Sequence, residues 1–74
     1  MRNTRAARLV GDVLRTYARP LSIQELHDHV REHLPLTAYS TVYRILGRLE
    51  AEGRVRRVDW RERGSRFEWA ALPH

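Results

Sequence analysis

Residues 40–53 read STVYRILGRLEAEG, and the spacing of their apolar side chains narrows the folds that the chain can adopt. These side chains recur three and four positions apart, so at about 100° per residue they line one side of a helix. They are Val42, Ile45, Leu46 and Leu49. The opposite side is polar and small, and consists of Ser40, Tyr43, Arg44, Gly47, Arg48 and Ala51. The pattern predicts a helix over about 38–52 with one buried and one exposed face.

The two ends of this helix are marked by residues with known backbone preferences. Thr37 or Ser40 is predicted to cap its start, because a hydroxyl oxygen can accept a hydrogen bond from a free N–H group of the first turn. Gly53 is predicted to end it, because glycine readily adopts the left-handed conformation that often follows a helix.

A first helix is predicted upstream over residues 4–18. It ends before Arg19 and Pro20, because proline disfavours helical backbone in the residue before it. Its inward residues are expected to be Ala6, Val10, Val13, Leu14 and Tyr17.

A second helix is predicted between this helix and the one over 38–52. It follows an extended residue, Leu21, and starts at a capping box in which Ser22 is the cap and Glu25 lies three residues on. Pro35 is expected to close it. Its inward residues are expected to be Ile23, Leu26, Val30 and Leu34.

A two-stranded hairpin is predicted after Gly53, where the period of the sequence changes from helical to two. Phe67 and Trp69 are expected to oppose Val58 and Trp60, with Arg56 on the same side as the latter pair. The turn is expected to contain Gly64 and Ser65, within a basic tip over about 61–66. A lone hairpin is marginal in water, so its aromatic face is expected to pack on the helices.

Three helices followed by a basic hairpin are the element order of a winged helix-turn-helix domain, mainly α with a small β-hairpin, here one domain over residues 1–74. In such a domain the third helix enters the major groove of DNA, and the wing lies on the backbone or in the minor groove. Tyr43 can touch a thymine methyl group, and Arg44 can reach guanine or phosphate. The candidate DNA-binding residues are Ser40, Thr41, Tyr43, Arg44, Arg48, Arg61, Arg63 and Arg66.

The composition agrees with a polyanionic partner. The 74 residues contain 14 Arg, no Lys and nine acidic residues, for a net charge of +5, and no Cys. Residues 1–20 hold five Arg against one acid and residues 54–74 hold six against three, so basic ends flank a near-neutral middle. The missing Cys excludes a disulfide framework, and no apolar run reaches the roughly 18 positions of a membrane helix. A cytoplasmic domain with no membrane partner is predicted.

Several short motifs of this sequence match those of a known family. They are the TVYR-x-L core at 41–46, Leu21-Ser22-x-x-Glu25-Leu26, Leu49-Glu50-x-x-Gly53, Val55-x-Arg57-Val58 and Phe67-Glu68. With these motifs the sequence resembles the DNA-binding half of the ferric uptake regulator family over roughly residues 4–70. The resemblance implies that the third helix is the recognition helix and that Tyr43 and Arg44 contact DNA. A weaker likeness is to the penicillinase-repressor family, which is also winged-helix.

The chain also departs from this family, which normally continues into a dimerisation domain with a His-rich segment and often CxxC zinc sites. Some members of the family have a His just before the start of the second helix, where this chain has Pro20. The sequence ends at residues 72–74, and it contains no Cys. Glu68 and His74 are two candidate metal ligands where a stable site generally needs four, so no metal or cofactor is predicted. The chain is then either a standalone minimal regulator or a fragment of a longer sensor.

Assembly stays open at this point. A domain of this size covers about one half-site, so a palindromic operator would need a homodimer. Leu9 and Val10 of the first helix are a candidate self-association surface, provided that they are not buried in the core.

Two other functions fit parts of the sequence. His29-Val30-Arg31-Glu32-His33 matches the H-x-x-E-H pattern of a zinc hydrolase, in which two His on one side of a helix bind zinc, but no third ligand is evident. A winged helix can also serve as a protein–protein interaction module, although an acidic or apolar face would suit that role better. The sequence therefore predicts no enzyme, but a sequence-specific regulator that binds double-stranded DNA, and more narrowly a repressor.

Overall fold

The computed structural model describes residues 4–60 and 64–70 of the chain. Three helices are followed by two antiparallel strands, which confirms the predicted winged helix-turn-helix. The helices are α1 (Thr4–Tyr17), α2 (Ile23–Arg31) and α3 (Tyr39–Ala51), and the strands are β1 (Val55–Trp60) and β2 (Gly64–Trp69).

One hydrophobic core joins the three helices and the hairpin. Most of the predicted inward positions are buried, including all four on α3. The buried residues are Ala6, Val10, Leu14, Leu21, Leu26, Val30, Val42, Ile45, Leu46, Leu49, Val55 and Phe67.

Several expectations about the core are wrong or only partly correct. Tyr17, in the last turn of α1, is 41% exposed and packs against the ring of His29 instead of in the core, with 4.6 Å between the ring centroids. Val10 has no exposed surface, so it belongs to the core and cannot form a self-association surface. Val13, Ile23 and Leu34, which were expected to face inward, are only partly buried against the core, as is Leu9.

The α1–α2 connection is tied down at both ends. Ala18 has a positive φ of 51°, which turns the chain out of α1 just before Pro20. The predicted capping box is present, since Glu25 N donates to Ser22 Oγ at 3.1 Å and Ser22 N donates to Glu25 Oε1 at 2.9 Å. The second helix then ends at Arg31, four residues before the expected stop at Pro35.

The two ends of α3 differ. Its N-cap is Ala38, whose methyl side chain cannot accept a hydrogen bond from the first turn. The predicted caps at Thr37 and Ser40 are therefore wrong. Its other end closes as predicted at Gly53, with φ of 78°. There Arg54 N donates to the Leu49 carbonyl at 2.9 Å, and Gly53 N donates to the Glu50 carbonyl at 3.0 Å, which is a Schellman motif.

The hairpin register differs by three residues from the prediction, which would pair Val58 with Trp69. Val58 instead pairs with Arg66 and Arg57 with Phe67, so Phe67 and Trp69 share a face with Arg57 and not with Val58. A shift by an odd number of residues exchanges the two faces of a strand. The inward face is selected by Phe67, which is 1% exposed and exchanges two 2.8 Å backbone hydrogen bonds with Leu21.

Candidate nucleic-acid interface

The outward side of α3 is the first candidate surface. We call it the outer face of α3, defined by the six residues predicted above, and all six are exposed. Tyr43 is 52% exposed, whereas the neighbouring Val42 has no exposed surface. A Cβ added at Gly47 would meet no atom within 4 Å, so the middle of the face is open. The outer face consists of Ser40, Tyr43, Arg44, Gly47, Arg48 and Ala51, and Thr41 lies half-buried at its edge.

The arginines of this face are not neutralised by nearby carboxylates. Within residues 4–60 and 64–70, neither Arg44 nor Arg48 is in an ion pair, whereas each described arginine from 54 onward is in one. The N–O distances of those pairs are 3.4 Å for Arg54–Glu52, 2.9 Å for Arg56–Glu68, 3.2 Å for Arg57–Glu50 and 3.1 Å for Arg66–Glu25. The outer face of α3 therefore carries positive charge that is free to pair with a partner.

The predicted wing is only partly within the described residues. Arg61 and Arg63 lie outside them. Gly64 and Ser65 belong to β2 and not to the turn as expected, because Gly64 pairs with Trp60 and Ser65 with Asp59. Arg66 also lies in β2, where its Nη1 donates to Glu25 Oε1. It is thus a strand residue whose side chain is 24% exposed.

Glu25 connects three parts of the domain. Its carboxylate accepts the Ser22 backbone N–H and contacts Arg66 of β2 at 3.1 Å and Arg19 of the α1–α2 connection at 3.7 Å. The hydrogen bond from Ser22 first, and then the charges of Arg19 and Arg66, lower the pKa of Glu25 below its ordinary value. This ion pair fixes β2 to the start of α2.

Arg57 attaches β1 to α3 in a similar way. Its Nη2 donates to Glu50 Oε1 at 3.2 Å, and this bond together with the charge of Glu50 raises the pKa of Arg57. The guanidinium carbon also lies 5.1 Å from the centre of the Phe67 ring. Each strand of the hairpin is therefore linked to a helix by an ion pair, β1 to α3 through Arg57 and β2 to α2 through Arg66.

The histidine pair of the zinc-hydrolase alternative lies at the end of α2. Because α2 ends at Arg31, His33 lies beyond the helix. His29 Nδ1 is instead 3.4 Å from Tyr17 Oη. Glu68, the other suggested ligand, is paired with Arg56, and His74 lies outside the described residues. In the part of the chain that the structure describes, no group of three or more potential ligands lies together.

Two exposed residues beside the outer face were not singled out from the sequence. Tyr39 begins α3, one turn before Tyr43, and is 46% exposed. Leu36 lies in the α2–α3 connection and is 98% exposed. The i, i+4 spacing of the two tyrosines was a usable signal for Tyr39, whereas the exposure of Leu36 follows only from the path of the connection.

None of the helices that the structure describes combines the length and the apolar character of a membrane span.

Comparison with known proteins gives this surface a context. The model of the ferric uptake regulator family matches residues 1–74. The structure is similar to that of the ferric uptake regulator Fur of Helicobacter pylori, which is described as having three functional metal binding sites. The TM-score is 0.90 at 32% identity, covering 100% of this chain and 49% of that one. No curated protein matches the sequence.

A second similar structure supports the fold alone. It is the peroxide stress regulator of Campylobacter jejuni, with a TM-score of 0.84 at 22% identity, covering 96% of this chain and 52% of that one. The chain thus spans about half the length of each of these two proteins.

Proposed function

The chain belongs to the ferric uptake regulator family, as its DNA-binding winged-helix domain, and from this premise we propose that it reads a specific duplex sequence with the outer face of α3. The observation that carries the proposal is that the positive charges on the outer face of α3 are not paired with carboxylates of the described residues. Arg44 and Arg48 stand on an open helix face without ion pairs in the described part of the chain, while the described hairpin arginines are paired. Regulators of this family are not enzymes, so the prediction that this chain is not an enzyme is confirmed. The alternative of a zinc hydrolase is thereby excluded.

Sequence selection is assigned to α3 in the major groove. The groove is about 12 Å wide and admits one helix. Tyr43 meets a thymine methyl group or a phosphate, and Arg44 reaches a guanine edge or a phosphate. Ser40 and Thr41, in the first turn, lie where backbone N–H groups and hydroxyls suit phosphate oxygens. Arg48, one turn after Arg44, extends the contact along the same groove.

Affinity is assigned mainly to phosphate contacts made by arginines outside α3. Arg5 and Arg8 are exposed on α1, and Arg61 and Arg63 belong to the proposed wing contact. Arg66 joins them while staying paired with Glu25, because the pair uses one of the five N–H donors of a guanidinium. These contacts hold the domain on the duplex without selecting its sequence.

Repression by occupation of a promoter is the proposed outcome of this binding. A domain of this size covers about one half-site, so a palindromic operator is bound by two copies of the chain. The proposed place of action is the cytoplasm. The alternative, a protein–protein interaction module, uses the same fold and is separated from this proposal by the following test.

The test is selection of duplexes from a random-sequence library by the 74-residue chain, followed by fluorescence anisotropy with the selected duplex and a scrambled one. We expect preferential binding of the selected duplex, and a fall in affinity of at least about tenfold between 50 and 200 mM salt. Recovery of no preferred sequence would contradict the proposal. Affinity that does not change with salt would contradict its electrostatic part and favour a protein partner.

A further inference from the structure

The start of α3 lacks the device that usually holds a helix start. Ala38 is the N-cap and makes no side-chain hydrogen bond. The Ala38 carbonyl accepts from Thr41 N at 3.1 Å and from Val42 N at 3.3 Å. Alanine at this position is much less favourable than Ser, Thr, Asp or Asn. Contacts from another element must therefore define where the outer face of α3 begins.

His27, in the middle of α2, makes those contacts. Its Nε2 lies 2.8 Å from the Thr37 carbonyl oxygen, one residue before the N-cap. A carbonyl oxygen can only accept, so Nε2 carries the proton and donates. The same ring meets the ring of Tyr39, one residue after the N-cap, edge to face, with centroids 5.6 Å apart and planes at 86°.

The two contacts clamp the chain on both sides of Ala38. Thr37 N also donates to the Leu34 carbonyl at 3.1 Å, so the α2–α3 connection is bonded at its inner end as well. Tyr39 lies one turn before Tyr43, so a shift at Tyr39 is carried along α3 to the residues proposed to touch DNA. A binding site loses accuracy when its supports allow displacements of more than about 0.5 Å.

We infer that His27 is a positioning residue for sequence recognition, which sets the height and orientation of α3 relative to α2 by holding Thr37 and Tyr39. This inference rests on the proposed function. His27 touches no DNA in this role. Its removal is expected to loosen the start of α3, and so to reduce the preference for the selected duplex more than the affinity for duplex DNA in general.

The test compares two substitutions at this position. His27→Gln keeps an amide N–H donor with a reach similar to Nε2, whereas His27→Leu keeps the bulk and removes the donor. His33→Leu is the matched control, because His33 is exposed and lies beyond the end of α2. Each variant is measured by anisotropy with the selected duplex and with a scrambled duplex, and by thermal unfolding.

For His27→Leu we expect roughly a tenfold loss of affinity for the selected duplex, with less than about a threefold loss for the scrambled one. His27→Gln and His33→Leu should stay within about threefold of the original chain. The melting temperature of His27→Leu should fall by less than about 5 °C, because one half-exposed hydrogen bond contributes little net stability. Equal losses on both duplexes, or no loss, would overturn the positioning role. A His27→Gln variant as weak as His27→Leu would overturn the hydrogen bond as its cause.

Amide hydrogen exchange in the free protein separates this inference from the proposed function. His27→Leu should accelerate exchange at Thr41 and Val42 relative to the Leu46 amide, whether or not DNA binds. Unchanged exchange at the start of α3 would refute the clamp itself. If the original chain binds no duplex while the exchange effect is present, the proposed function has failed and the structural part of the inference stands.

Discussion

At the scale of single residues, the arginines fall into two groups, those in an ion pair with a carboxylate and those without one in the described residues. Those of the hairpin that the structure describes are in ion pairs that attach the wing to α2, to α3 or within the hairpin itself. Arg44 and Arg48 have no such partner in the described residues, although they belong to the near-neutral segment of the sequence. Net charge by segment was therefore a poor guide to the charge available to a partner, because it ignores pairing between distant segments.

Arg44→Ala should reduce discrimination between the selected and scrambled duplexes by about 1–3 kcal/mol, the cost of a lost base contact. Arg54→Ala is the matched control, because it removes the same charge from an arginine that is paired with Glu52. Anisotropy titrations with both duplexes measure the effect. Equal losses on the two duplexes in Arg44→Ala would assign this residue to phosphate contacts only.

Ala18→Gly should raise the free energy of unfolding by about 0.5–1 kcal/mol. Ala18 has φ of 51°, a region that costs an L-residue about 1–2 kcal/mol and glycine almost nothing, while glycine loses more entropy on folding. Ala7→Gly makes the same change inside α1 and should lower stability by about 1 kcal/mol. Urea unfolding of both variants tests the opposite signs, and a less stable Ala18→Gly would refute the argument.

At the scale of elements, the two ends of α3 differ in the contacts that surround them. Residues close in sequence close its C-terminal end, whereas a residue of α2 contacts its N-terminal end. Its end needs only Gly53 and two backbone hydrogen bonds, all within a few residues of sequence. Its start is contacted by His27 of α2, whose Nε2 lies 2.8 Å from the carbonyl oxygen of Thr37, ten residues later in the sequence. The cap was accordingly mispredicted where the support is tertiary, and the stop was predicted correctly where the support is local.

The two glycines of this region should respond oppositely to alanine. Gly53→Ala should lower the free energy of unfolding by about 1–2 kcal/mol, because φ of 78° is strained with a Cβ. Gly47→Ala should raise it by about 0.5–1 kcal/mol, because Gly47 is inside the helix with no atom within 4 Å of an added Cβ. Chemical denaturation of both variants tests this, and a Gly53→Ala variant as stable as the original would be the contrary outcome.

At the scale of the whole molecule, the carboxylate of Glu25 joins β2 to the helices through several polar contacts. Glu25 receives the Ser22 N–H, Arg66 and Arg19, and so joins β2, α2 and the α1–α2 connection. The Leu21–Phe67 bridge lies beside it in sequence and sets the hairpin face that is buried. Wing placement is therefore expected to depend on the charge of Glu25.

Glu25→Gln should lower the free energy of unfolding at pH 7 by about 0.5–1 kcal/mol, allowing for solvent screening of a part-exposed pair. The folded-state pKa of Glu25 is below the ordinary value of 4.5, so its charge stabilises the fold above pH 4.5. That contribution is lost as the pH falls through the lowered pKa, and the two proteins should then converge.

Denaturant unfolding between pH 7 and pH 2 measures this convergence. Glu32→Gln is the control, because that carboxylate is 67% exposed beyond the end of α2. A stability difference that does not change with pH would show that shape, and not charge, is what Glu25 contributes.

What the sequence determined by itself are the features that depend on near neighbours along the chain. Helix spacing assigned the buried and exposed sides of α3, Ser22 and Glu25 marked the start of α2, and Gly53 marked the end of α3. Each rests on contacts within about one helical turn, so the local order of residues is sufficient to specify it.

Only the tertiary structure decided the hairpin register, the start of α3 and the arginines left free of carboxylates. In 55–60 the apolar residues do not alternate strictly, so the sequence allowed either face to turn inward, and the pairing of Phe67 with Leu21 selected one. The contact of His27 with Thr37 and that of Glu25 with Arg66 each join two different parts of the folded chain. These contacts join residues 10 to 46 positions apart, and their geometry depends on how whole elements pack, which no local pattern encodes.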